Sequence, residues 1–85
     1  MSRRVEWSKQ ALKAVSRLDR PTQNRILAAV DDLAEKNQGD IRRLEGAKEE
    51  TFRMRVGGWR VIFSYLGDTA ILILRIRPRG DVYKR

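Results

Sequence analysis

The sequence predicts an α+β fold: one domain spanning residues 1–85, with a helical hairpin packed on one face of a small, mostly antiparallel sheet, in the order β-α-α-β-β-β. Three observations carry this. Apolar residues recur at helical spacing through much of the first forty positions. They alternate with period two from Thr51 to Tyr65. The run Ala70-Ile71-Leu72-Ile73-Leu74 is apolar at every position, as in a strand covered on both faces.

Residues 3–7 read as a short strand with Val5 and Trp7 on one face. Ser8 is a natural N-cap, because its hydroxyl can accept from the free amides of the turn that follows. From Lys9 the spacing predicts a helix with Ala11, Leu12, Val15 and Leu18 inward and Lys9, Lys13 and Arg17 in water. Asp19-Arg20-Pro21 interrupts it, and Pro21 suits the first position of a second helix, where a missing amide costs nothing. That helix turns Ile26, Leu27, Val30 and Leu33 inward and ends near Asn37-Gln38-Gly39, with Gly39 as terminator. Residues 40–50 are polar with single anchors at Ile41 and Leu44, and read as a connecting loop.

A hairpin follows. Gly57-Gly58 forms its turn, a pair suited to two central positions of positive φ. Phe52, Met54 and Val56 share one face with Trp59, Val61, Phe63 and Tyr65; Arg53 and Arg55 point the other way, as do Arg60, Ile62 and Ser64. Gly67-Asp68 turns the chain again into the apolar strand, which runs on through Arg75-Ile76-Arg77. Parity puts Arg75 and Arg77 together, but does not say whether they join the other three. Pro78 cannot donate to a ladder and ends the strand, leaving a basic tail with one aromatic, Tyr83.

Charge is placed unevenly. From Thr51 onward eight Lys/Arg stand against two acids, which assigns +6 of the net +8 to the last 35 residues. A basic half joined to a nearly neutral half implies a polyanionic partner. There is no signal-peptide core and no apolar run approaching the ~20 residues of a membrane span, so no membrane association is expected. The absence of cysteine fits a reducing compartment, and a cytoplasmic location is expected. With neither cysteine nor histidine, thiol proteases, histidine-based nucleases and the usual metal centres are out of reach, and no cofactor or metal is expected. Glu49 and Glu50 are adjacent and would diverge, which suits solvated loop charge better than paired acid–base work. What remains is a set of arginines with Tyr83. A guanidinium is a planar, permanently charged fork matched to phosphate oxygens. RNA can be cut with its own 2′-hydroxyl as nucleophile, leaving the protein to hold the phosphate and neutralise charge. Arginine is a poor general base, so the residues alone leave RNA binding and RNA cleavage equally open.

Leu44-Glu45-Gly46, Phe52-Arg53-Met54-Arg55, Gly58-Trp59-Arg60-Val61-Ile62-Phe63 and the ending Leu74 to Tyr83, in this order of elements, resemble the RelE branch of the RelE/ParE superfamily of type II toxins. The resemblance covers nearly the whole chain and is most specific in its second half. It implies a metal-independent endoribonuclease that cuts messenger RNA in the ribosomal A site. Its partners would be the ribosome, the messenger and a cognate antitoxin that binds the basic face in a hetero-oligomer. By the same resemblance Arg60 would hold the scissile phosphate, and Arg53 and Arg55 would stand where RelE has two lysines. Arg79, with Arg77 as competitor, would be the C-terminal catalytic arginine, and Tyr83 would stack on the substrate base. Arg75 and Lys84 would add to RNA binding. Arginine in place of both lysines weakens a general-base role at those positions. A ParE-type inhibitor of DNA gyrase, without catalysis, and a homologue that only binds its antitoxin are the alternatives.

Overall fold

Strand β1 (Arg4–Trp7) opens the structure, a computed structural model that describes residues 2–44 and 50–78. It leads into α1 (Lys9–Ser16) and α2 (Arg20–Lys36), then β2 (Asp40–Leu44), β3 (Thr51–Val56), β4 (Trp59–Leu66) and β5 (Ala70–Pro78). The strands form one sheet in the order β1-β5-β4-β3-β2, antiparallel except for the parallel β1–β5 pair. The predicted layer architecture holds, with one correction: residues 40–44 are not loop but an edge strand paired with β3.

Each helix end has a local cause. The Ser8 hydroxyl accepts from the Ala11 amide at 3.0 Å, so α1 starts where the sequence places it. Pro21 lies in the first turn of α2, after the Asp19 N-cap. The terminator of α2 is Asn37 and not Gly39: Asn37 sits in the left-handed region at φ 54°, and its amide bonds back to Leu33 O at 3.0 Å. Tyr65 donates to Asn37 Oδ1 at 2.9 Å, tying β4 to this cap.

The helices cover one face of the sheet. Ala11, Ile26, Leu33, Val61, Phe63, Ile71 and Ile73 form the centre of that core. Phe52, Phe63 and Tyr65 add an aromatic cluster, with Phe52 and Phe63 stacked at 5.6 Å. Two predicted core residues are corrected: Leu12 and Leu27 are exposed on the outer sides of α1 and α2. Each helix buries a narrower stripe than its apolar content suggests, since α1 reaches the sheet mainly through Ala11 and Val15. The hairpin turn is also corrected. Gly57 alone is left-handed (φ 59°), the pattern of a II′ turn, so Gly58 needs no positive φ.

A β-bulge in β5 decides the rest of the molecule. Ile62 pairs with Arg75 and Phe63 with Ile73, which leaves Leu74 as the extra residue. Strict alternation from Ile71 and Ile73 would turn Arg75 and Arg77 into the core. The extra residue shifts the phase by one, so Ile76 is buried and both arginines face outward. Ser8 secures this irregularity, its amide donating to Ile73 O at 2.9 Å and its hydroxyl to Leu74 O at 2.7 Å. One residue therefore caps α1 and satisfies a carbonyl at the bulge.

Candidate functional site

The uncovered face of the sheet is laid out by the strand register. One cross-strand row runs Asp40, Arg55, Arg60, Arg77 over β2, β3, β4 and β5. The next runs Arg42, Arg53, Ile62, Arg75. Directly opposed residues in a sheet stand about 4.5–5.5 Å apart at Cβ. Six of these eight positions are therefore guanidinium groups held side by side on one surface. The open question of parity is answered: Arg53, Arg55, Arg60, Arg75 and Arg77 share the same face.

This face is costly to build. Arg55–Arg60, Arg60–Arg77 and Arg42–Arg53 are like charges placed directly opposite, each unfavourable by a few tenths to about 1 kcal/mol. Among the described residues, the ion pairs are Arg4–Glu6 (2.8 Å) and Arg43–Glu50 (3.3 Å), and neither draws on the six. Arg53 Nη1 and Arg60 Nε are buried without a hydrogen-bond partner among the described residues. A buried donor left unpaired costs about 1–3 kcal/mol, which an anion seated on these groups would remove. Arg3 Nε is a third such atom, away from this face, its guanidinium lying 5.0 Å from the Tyr65 ring centre. Arg55, Arg75 and Arg77 are exposed, and Arg53 and Arg60 half-buried.

Beside Arg60 the face deepens into a cavity of about 520 Å³, walled by Arg60, Arg75 and Arg77 and floored by Leu44, Ile62 and Leu74. Ser8, Gln10 and Thr51 complete its rim. Such an arrangement binds anions through paired forks and offers an apolar surface next to them. Arg79, Tyr83 and Lys84, also expected at the site, lie outside the described residues. Arg42 and Gln10 are additions that the sequence did not reveal. Arg42 was hidden because Leu44 occupies an outward position as part of the cavity floor, which spoils the alternation that marks a strand. Gln10 carries no local signal and reaches the site only because Ser8 pins α1 to the bulge.

Residues 5–83 match the family model for the ParE toxin of the type II toxin–antitoxin system parDE. The chain is 35% identical to the RelE chain solved in an archaeal RelE–RelB complex from Pyrococcus horikoshii, with a TM-score of 0.78 over 94% of this chain and 98% of that one. It shares its fold, at 21% identity and a TM-score of 0.80, with a chain of the toxin–antitoxin complex RelBE2 from Mycobacterium tuberculosis, over 93% of this chain and all of that one. A double arginine-to-alanine mutant of the Escherichia coli toxin RelE, solved in the free state, has the same fold at 13% identity, with a TM-score of 0.71 over 98% of this chain and 88% of that one. Among curated protein sequences, none is significantly similar.

Proposed function

This chain belongs to the RelE/ParE superfamily of type II toxin–antitoxin toxins, and from that premise we propose that it is a ribosome-dependent endoribonuclease that cuts messenger RNA in the A site. The observation that carries the proposal is the two-row arginine surface, built against its own repulsion, with six guanidinium groups against the single carboxylate of Asp40 and none of the six in an ion pair among the described residues. A strand of RNA supplies the missing anions at a spacing that several forks can grip together. In the proposed reaction the substrate's 2′-oxygen gives its proton to water and attacks the adjacent phosphorus. The bond to the 5′-oxygen breaks, and that oxygen leaves as a hydroxyl after taking a proton from water, with a 2′,3′-cyclic phosphate left on the other fragment. Arg60 holds the scissile phosphate, and Arg55 and Arg77, its row neighbours, neutralise the charge that develops on it. Arg53 and Arg75 bind the flanking backbone, with Arg42 extending the track. Arg79, Tyr83 and Lys84 are assigned, on family resemblance, to charge stabilisation, base stacking and RNA binding. A permanently protonated guanidinium does not take the 2′-proton readily, so alignment of the substrate by the ribosome carries much of the rate.

The proposed partners are the ribosome, messenger RNA and a cognate antitoxin that covers the arginine face; the Pyrococcus horikoshii relative is itself solved with RelB. The match to the ParE toxin model favours a second reading, inhibition of DNA gyrase through protein contacts without catalysis. Expressing the chain alone in bacterial cells and mapping messenger-RNA 5′ ends separates the two. Clustered new ends inside translated regions, with arrested protein synthesis, are expected. Intact messengers accompanied by DNA breaks would establish the gyrase reading instead.

A further inference from the structure

The cavity beside Arg60 offers more than a phosphate requires, and we infer that it is a base-recognition subsite in which Gln10 reads one nucleobase of a single-stranded RNA. The inference rests on the ribonuclease reading and deepens it. The cavity's volume of about 520 Å³ falls within the range of small-ligand sites, roughly 300–1,000 Å³. Its walls are chemically divided. Arg60, Arg75 and Arg77 form a cationic side, while Ile62, Leu74 and Leu44 present an apolar floor that a bare anion would not use. A nucleotide has both characters in one ligand: a charged phosphate joined to a flat ring whose faces are apolar and whose edge is polar.

Two rim side chains without a hydrogen-bond partner among the described residues could read that edge, the Thr51 hydroxyl and the exposed Gln10 carboxamide, and Gln10 offers the fuller set of donors and acceptor. The Ser8 hydroxyl is already committed, donating to Leu74 O and accepting from the Ala11 amide. Gln10 is not committed: its carboxamide has no hydrogen-bond partner among the described residues, whereas Gln23 donates to Val15 O at 2.9 Å. Gln10 also lines an adjoining cavity of about 170 Å³ beside Arg75 and Arg77. It stands where the β1–β5 pairing has ended, at Trp7–Ile73, so that α1 in place of a strand flanks the rest of β5. A carboxamide carries two donors and an acceptor, which suits it to a purine or pyrimidine edge. The backbone that carries it is held in place because Ser8, at the start of α1, is bonded to the bulge at two points.

The test uses fluorescence anisotropy of the full chain with short single-stranded RNAs, 2′-O-methylated against cleavage. The set comprises oligo(A), oligo(C), oligo(U) and a strand with one abasic position. The unaltered chain is expected to separate the three bases by about tenfold in Kd, and to bind the abasic strand more weakly than the best of them. Gln10→Ala should shrink that separation to within about twofold and leave affinity for the abasic strand unchanged. Gln10→Glu, which loses the donors, should change the order of preference. Arg60→Ala should instead weaken every strand alike. The inference is overturned if Gln10→Ala lowers all affinities equally, if it leaves the base preference intact, or if the unaltered chain binds abasic and intact strands equally well. In those cases the phosphate-binding role of the arginines stands. Failure to bind any free RNA also overturns the inference, while the ribonuclease reading is decided separately by the mapping of messenger-RNA ends in cells.

Discussion

On the helix-covered face of the sheet, Met54, Val61, Phe63, Ile71 and Ile73 expose 1% or less of their surface. On the opposite face, six arginines stand in two rows with one carboxylate, Asp40, at the end of a row, and none of the six makes an ion pair among the described residues. The same strands build both faces, one residue apart. The covered face lowers free energy by removing apolar groups from water and packing them closely. The open face raises it, through opposed charges and unpaired buried donors, until a ligand arrives. Stability and, on the proposed function, binding are therefore assigned to alternate residues of single strands. A substitution should disturb one property with little effect on the other.

The largest break expected is on the covered face. Phe63→Ala removes a fully buried ring from the aromatic cluster and should cost about 3–5 kcal/mol, a large share of the stability of so small a domain. Urea unfolding should show a sharply lower midpoint, with RNA binding lost only as the chain unfolds. On the open face, Arg60→Ala should leave the unfolding free energy within about 0.5 kcal/mol or raise it, because repulsion and an orphaned donor are removed. RNA affinity should nevertheless fall by roughly tenfold or more, and the salt dependence of binding should become shallower by about one phosphate contact. An equal stability loss in the two variants would abolish the distinction between the faces.

Smaller effects sharpen it. Ser8→Ala removes both the helix cap and the bond to the bulge carbonyl, and should cost about 1–2 kcal/mol in chemical denaturation. Because the bulge orients Arg75 and Arg77, this variant alone should weaken stability and RNA binding together. The smallest contrast is in the hairpin turn. Gly57→Ala forces a left-handed alanine beside the Arg25 guanidinium and should cost about 1 kcal/mol. Gly58→Ala should be nearly neutral, since an added Cβ there meets nothing within 4 Å.

Much of this was legible from residues alone. Alternation from Thr51 to Tyr65 predicted both the apolar floor and the outward turn of Arg53, Arg55 and Arg60, and register confirmed it. The Ser8 cap and the helical hairpin were equally plain, because capping and amphipathic spacing are local patterns. Strand β2 was not, since Leu44 faces outward into the cavity floor and leaves Asp40-Ile41-Arg42-Arg43-Leu44 without a clean period. Leu12 and Leu27 misled because each follows a fully buried residue, Ala11 or Ile26, and so lies about 100° further round its helix, turned to solvent.

By itself, then, the sequence determined the layer architecture, the chemistry of the outward side chains and the basic character of the second half, all of which follow from periodicities of a few residues. Tertiary structure alone decided that Arg75 and Arg77 join the other arginines, that Arg42 extends their rows, and that Gln10 meets them across a cavity. Those outcomes depend on which strands lie side by side and on one extra residue at Leu74. A bulge is a mismatch between two paired strands, so it has no signature in either strand read alone.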